Sequence, residues 1–140
     1  MSARSARSFF DTNIFLYTDS SDAAAKRTRA LDLLGDHRLA RSGVVSLQVL
    51  QEYFVAATRK LGVDVDVARR KVGLFANFHL VVLDVEDVLA AIDLHRLHQV
   101  SFWDALIVRA AKQGGCPELY SEDLQHGRTI DGVRIVNPFR

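Results

Sequence analysis

The sequence predicts an α/β fold in which a parallel sheet is covered by helices on both faces. Two observations carry this expectation. Short apolar or β-rich runs recur at Ser8–Asp11, His79–Leu83, Glu118–Ser121 and Val133–Val136. Longer segments with helical spacing and helical start and stop residues lie between them. Short strands separated by helices pair side by side in parallel, and ligands then gather beyond the carboxyl ends of the strands.

The elements follow in order. Ser8–Asp11 is the first strand, and Asn13–Tyr17 starts a helix. Asp22–Leu34 reads as a helix closed by Gly35, and His37–Arg41 as a weak strand. Ser46 caps a helix that reaches Lys60 or Leu61, with Gly62 just past its end. Asp64 or Asp66 caps the next, which carries Val65, Ala68, Val72 and Phe75 on one stripe. After the run His79–Leu83, Asp84 caps a helix with Val85, Val88, Leu89 and Ile92 at helical spacing. Ser101 starts another that ends near Gly114-Gly115, ahead of the last two strands.

A chain of 140 residues suits a single domain over positions 1–140. An apolar fraction of 49% with 25% charged residues is that of a soluble globular protein. No apolar run approaches the ~20 residues of a membrane helix. Arg4 and Arg7 are not followed by a signal-peptide core before Asp11. A cytoplasmic location without membrane association is therefore expected. The net charge of +1 does not by itself point to nucleic acid. Basic residues do cluster at Lys26, Arg27 and Arg29, at Arg59 and Lys60, and at Arg69, Arg70 and Lys71. Such clusters gain meaning only beside a catalytic site. The single cysteine, Cys116, excludes an internal disulfide and a thiolate metal cage, and reads as a small buried residue.

Four acids stand where solvated decoration is not expected. Asp11 interrupts "FFDTNIFLY" at the end of the first strand. Glu52 lies mid-helix in "SLQVLQEYFVAA", Asp104 precedes an apolar run in "SFWDALIVRAA", and Asp123 follows a strand in "LYSEDLQHG". Each has a plainer explanation: a helix cap for Asp11, a surface position for Glu52, a capping box from Ser101 for Asp104, a turn for Asp123. One convergent site explains all four together. Two like charges ~4 Å apart repel by about 4 kcal/mol at an effective dielectric of ~20, so such a cluster needs cations. Oxygen ligands without cysteine favour Mg²⁺ or Mn²⁺ over zinc. Such ions can activate water and stabilise a leaving oxygen at a phosphate. Thr12, Asn13 and Ser121 are neutral groups placed to orient the carboxylates or bound water.

These four blocks, in this order, resemble the blocks of PIN-domain ribonucleases, and in particular the VapC-type toxins of bacterial toxin–antitoxin pairs. The likeness runs from Phe9 to about Val136. It implies a three-layer α/β/α sandwich with a parallel central sheet and an acidic pocket that binds Mg²⁺ or Mn²⁺. It implies endonucleolytic cleavage of RNA, an antitoxin protein as partner, and a homodimer. Carried over by position, the catalytic and metal-binding acids are Asp11, Glu52, Asp104 and Asp123, with Thr12, Asn13 and Ser121 in support. Glu122 adjoins Asp123, so either acid could face the pocket. Asp123 is favoured because Ser121 precedes it by two positions.

Other readings fit less well. A haloacid-dehalogenase-type phosphatase puts a second aspartate where this chain has Asn13. A response-regulator receiver needs an acidic pair that Arg7-Ser8-Phe9-Phe10 lacks. A non-catalytic module that only binds an antitoxin is opposed by the filled acid set. His95 and His98 share a helix face but lack a third metal ligand.

Overall fold

The structure is a computed structural model and describes residues 6–140. The chain runs β1 (Ser8–Phe10), α1 (Thr12–Leu16), a 3-10 turn (Tyr17–Asp19), α2 (Ala24–Ala40), β2 (Gly43–Ser46) and α3 (Leu47–Arg59). It continues through α4 (Val65–Phe75), β3 (His79–Val81), α5 (Val85–His98), α6 (Phe102–Gln113), β4 (Glu118–Tyr120), β5 (Thr129–Ile130) and β6 (Val133–Val136). The strands form one sheet in the order β3-β2-β1-β4-β6-β5. All neighbours pair in parallel except β5, which runs antiparallel to β6.

Helices cover both faces, as the α/β/α expectation requires. On one face the ring of Phe10 meets Phe15, Phe78 and His37 of α2. Val44 pairs with Phe9, which points to the opposite face from Phe10, and it meets the end of α6 at Gly114. Phe9, Phe10, Val44, Val45, Leu119 and Ile135 are fully buried, as central strands covered on both sides must be. Gly43 has a steric reason to be glycine: a Cβ there would run into the rings of Phe78 and Phe10.

Most helix starts lie where the sequence puts them. Ser46 Oγ accepts from the Val49 N–H at 3.2 Å, and Asp64 caps α4. Asp84 and Asp87 form a reciprocal capping box on α5.

Three local expectations are corrected. α2 does not stop at Gly35 but runs on to Ala40, so His37–Arg41 is not a strand. Glycine inside a helix costs only about 1 kcal/mol. The turn beyond it is held by His37, which packs on Phe10 and Tyr120 and hydrogen-bonds Ser42 Oγ at 2.7 Å. The left-handed stop is made by Arg41 instead, at φ 54°. The strand that follows, β2, lies at Gly43–Ser46, immediately before the α3 cap.

On α5, Val85, Val88, Leu89 and Ile92 face outward. The buried side carries Asp87, Ala91 and Leu94. Asp87 is tolerated there because Arg109 Nε donates to it at 2.9 Å and Gln113 Nε2 at 2.6 Å, both from α6. The α4 stripe is only partly inward: Ala68 and Phe75 are buried, and Val65 is exposed.

Candidate active site

β1 and β4 are neighbours at the centre of the sheet, where the chain order reverses direction. Parallel sheets open a crevice at the carboxyl end of such a switch point. Register pairs Phe10 with Tyr120, and the Asp11 N–H donates to the Tyr120 carbonyl at 2.9 Å. Asp11 and Ser121 therefore leave the sheet side by side. Asp11 Oδ1 accepts from the Thr12 N–H at 2.7 Å, and Oδ2 accepts from Ser121 Oγ at 2.8 Å. The plainer role of helix cap is thus real, since Asp11 caps α1. It accounts for one oxygen only.

Asp11 is 6% exposed. Burial pushes its carboxyl up to about 6, against the opposing pull of the Ser121 and Thr12 hydrogen bonds. The nearby charges of Asp123 and Glu52 push it further in the same direction. A carboxylate buried beside two other acids is costly to ionise, and a nearby positive charge would offset that cost.

β2 delivers Glu52 to the same crevice. Its strand ends at Ser46, and α3 starts at once. Glu52 Oε2 accepts from Thr12 Oγ1 at 2.7 Å, and Oε1 accepts from Gln48 Nε2 at 2.7 Å. Both carboxylate oxygens are thereby oriented. Gln48 was not singled out from the sequence, although its place one turn before Glu52 on the same helix face offered a signal.

Asn13 ties α1 to the segment after β4. Its Nδ2 donates to Asp123 Oδ2 at 3.1 Å, and its Oδ1 accepts from the Glu122 N–H at 3.3 Å. The two adjacent acids point different ways. Glu122 accepts from Lys26 Nζ at 2.5 Å and from the Tyr17 hydroxyl. Asp123 lines an open cleft of about 650 Å³ with Thr12, Asn13, Glu52, Val55 and Arg59.

Asp104 is not hydrogen-bonded to this group. Ser101 Oγ accepts from the Asp104 N–H at 3.0 Å, but Asp104 returns no bond to Ser101. Among the described residues its carboxylate makes no hydrogen bond. It sits in the first turn of α6, joined to the crevice through Gln48, whose Nε2 reaches the Trp103 carbonyl at 3.5 Å. Hydrogen bonds thus link Asp11, Thr12, Asn13, Glu52, Ser121 and Asp123 into one group, to which Asp104 makes no side-chain bond.

Among the described residues, no three acids, histidines or cysteines stand close enough to ring one metal ion. The donor chemistry still suits Mg²⁺ or Mn²⁺: carboxylate oxygens, neutral oxygens nearby and no thiolate. Mg²⁺ is commonly held by one or two carboxylates with water completing its shell, so a ring of three is not required. His95 donates to the Val100 carbonyl at 2.5 Å and forms no metal group with His98. Cys116 is buried, and burial pushes its thiol up to about 12, which makes it an inert core residue.

The fold has known relatives. The Mycobacterium tuberculosis toxin VapC20, a sarcin–ricin loop cleaving toxin, superposes with a TM-score of 0.69 at 20% identity, covering 83% of this chain and 89% of that one. A toxin–antitoxin complex from Klebsiella pneumoniae gives 0.67 at 21% identity, covering 94% and 97%. DNA-bound VapBC from Salmonella typhimurium gives 0.64 at 20% identity, with the same coverage. At these identities the likeness is one of fold. No curated protein matches the sequence. The PIN domain pattern matches residues 8–130, nearly the whole chain, with Asp11, Glu52, Asp104 and Asp123 all inside the matched span: the chain belongs to the PIN domain family.

Proposed function

We propose that this chain is a divalent-metal-dependent endoribonuclease and the toxin of a toxin–antitoxin pair. The observation that carries this reading is the setting of Asp11: a carboxylate at the sheet switch point, destabilised first by burial and further by Asp123 and Glu52, which a cation would relieve. In this reading Asp11, Glu52, Asp104 and Asp123 serve the ion together, one or two of them directly and the others through its water shell. A bound Mg²⁺ or Mn²⁺ supplies positive charge for the phosphate oxygens and lowers the pKa of water.

The chain's own residues do the rest. Ser121 and the Thr12 N–H fix Asp11, while Asn13 holds Asp123 at the cleft. Thr12 and Gln48 hold Glu52 with its carboxylate toward the cleft, where it orients the attacking water and takes its proton. The water oxygen bonds to phosphorus, the bond to one ribose oxygen breaks, and that oxygen takes a proton from solvent water while Glu52 returns its own to solvent. Asn13 cannot be the proton donor that a haloacid-dehalogenase-type phosphatase keeps at that position.

An antitoxin partner is supported by relatives that are themselves toxin–antitoxin complexes. The cleft between α1 and α3 suits such a partner. It has apolar walls at Leu16, Val55 and Ala56 and acids at one end. A partner arginine can pair bidentately with those acids. Contact surfaces are expected over Asn13–Leu34 and Leu47–Leu61. A homodimer and a cytoplasmic location belong to the same reading. No helix among the described residues is long and apolar enough to cross a membrane.

The test is cleavage of RNA by the purified chain with Mg²⁺ or Mn²⁺ and with EDTA. Cleavage with the ions and none in EDTA supports the nuclease. No cleavage under any condition, with an antitoxin still bound, leaves the non-catalytic binding module in its place. Growth arrest on expression, relieved by the product of a small neighbouring gene, supports the toxin assignment separately.

A further inference from the structure

We propose that Arg59 and Lys60 form a phosphate-binding subsite at the far end of the cleft, where they hold the RNA backbone at a phosphate beside the one being cut. The proposal rests on the nuclease reading and adds to it where the substrate strand lies.

The geometry comes from α3. Glu52, Val55, Ala56 and Arg59 are spaced i, i+3, i+4 and i+7, so they share one face, and all four line the cleft with Lys60. Two turns of helix separate Glu52 from Arg59, an axial rise of about 10 Å. The cleft therefore has an acidic end at Asp123 and Glu52, apolar walls at Leu16, Val55 and Ala56, and a basic end. Acids alone would repel a polyanion. The basic pair gives the strand a point of attachment on the path to them.

The three basic clusters of the sequence are used differently. Lys26 is bound to Glu122, Arg27 Nε donates to the Thr18 carbonyl, and Arg29 Nε to the Pro138 carbonyl. Lys71 is paired with Asp19 at 2.6 Å, and Arg69 and Arg70 lie on α4 away from the cleft lining. Arg59 and Lys60 are exposed, line the cleft, and among the described residues their side chains make no hydrogen bond or ion pair. Arginine grips phosphate bidentately, and lysine adds a point charge. A cationic peptide segment that enters the acidic end would be repelled here, so the charge pattern favours a nucleic-acid strand at this end of the cleft.

The experiment measures binding of a fluorescein-labelled single-stranded oligouridylate by anisotropy in EDTA, where no turnover occurs, over a series of salt concentrations. Arg59→Ala/Lys60→Ala should bind about tenfold more weakly. Its slope of log affinity against log salt should be shallower by about 1.4, from two lost phosphate contacts on a single strand. Arg69→Ala/Arg70→Ala removes the same charge outside the cleft and should leave that slope unchanged. Arg59→Gln/Lys60→Gln keeps side-chain bulk and must behave as the alanine pair does, which guards against a folding artefact. With metal, KM for cleaved RNA should rise while kcat stays within about twofold. The proposal is overturned if wild type does not bind the RNA, if the slope is unchanged, if the α4 pair shifts it equally, or if only antitoxin affinity falls. Loss of metal-dependent cleavage in wild type would instead count against the nuclease reading, because the binding measurement does not use turnover.

Discussion

Asn13 and Asp123 are joined across the crevice: the Asn13 amide donates to Asp123 Oδ2 at 3.1 Å while its carbonyl oxygen accepts from the Glu122 N–H at 3.3 Å. One side chain thereby sets the direction of two neighbouring acids. Lys26 and Tyr17 complete the sorting by binding Glu122. Burial pushes the Glu122 carboxyl up, but these two bonds outweigh it and hold it below its usual range. Glu122 thus stays an anion engaged in structure, and Asp123 is the acid at the cleft.

The first expectation separates the two acids by RNA cleavage. Glu122→Gln should cut RNA within about threefold of wild type, whereas Asp123→Asn should lose about 10²-fold or more. Asn13→Ala should fall between, at about 10- to 100-fold, as partners that orient ligands do. Equal losses for Glu122→Gln and Asp123→Asn would reverse the assignment.

A second expectation concerns Asp11 and pH in the metal-free protein. Its folded pKa of about 6 lies above the ordinary 3.8, so between those values the folded state binds more protons than the unfolded state. Stability from this group is present at low pH and is lost as pH rises through about 6, by roughly 3 kcal/mol in all. Asp11→Asn removes the titration and keeps an oxygen for the Thr12 N–H, although its amide nitrogen cannot accept from the Ser121 hydroxyl as Oδ2 does. In EDTA at neutral pH it should melt above wild type, and below pH ~4 the gain should vanish. Thermal melting across pH checks both halves, and cleavage should be lost throughout.

Asp104 and Ser101 test the competing capping role. Ser101 caps α6, but the box is not reciprocal. Ser101→Ala should cost about 1 kcal/mol of stability and little activity. Asp104→Ala should melt near wild type and lose cleavage. Normal cleavage with an early melt for Asp104→Ala would make it a structural residue.

Gly35 lies inside α2 with open space where a Cβ would go. Gly35→Ala should therefore stabilise the protein by about 0.5–1 kcal/mol. A lower melting temperature would mean that α2 really breaks there.

Several of these features are legible in the sequence and others are not, for physical reasons. Asp11 was visible because a charge at the end of an apolar strand is costly without a purpose. Glu52 was visible because an acid amid apolar neighbours on a helix asks for partners, and Thr12 and Gln48 are those partners. The helix starts were visible because capping is local, as at Ser46 and Asp84. Long-range pairing was not. Asp87 faces inward because of Arg109 and Gln113 on another helix, which sends the apolar Val85 and Leu89 outward against the pattern. Gly35 misled because His37 and its aromatic contacts on the sheet carry the helix past it. Nothing local indicates that Lys26 binds Glu122, a partner far along the chain.

The most direct test of a cation-dependent acidic centre is the rate of RNA cleavage against Mn²⁺ concentration for wild type and Asp11→Asn, each started from EDTA-treated protein. Wild type should rise from no cleavage to a plateau, and Asp11→Asn should stay at background across the range. Cleavage by wild type before any Mn²⁺ is added, or an Asp11→Asn curve that overlays that of wild type, would contradict the account.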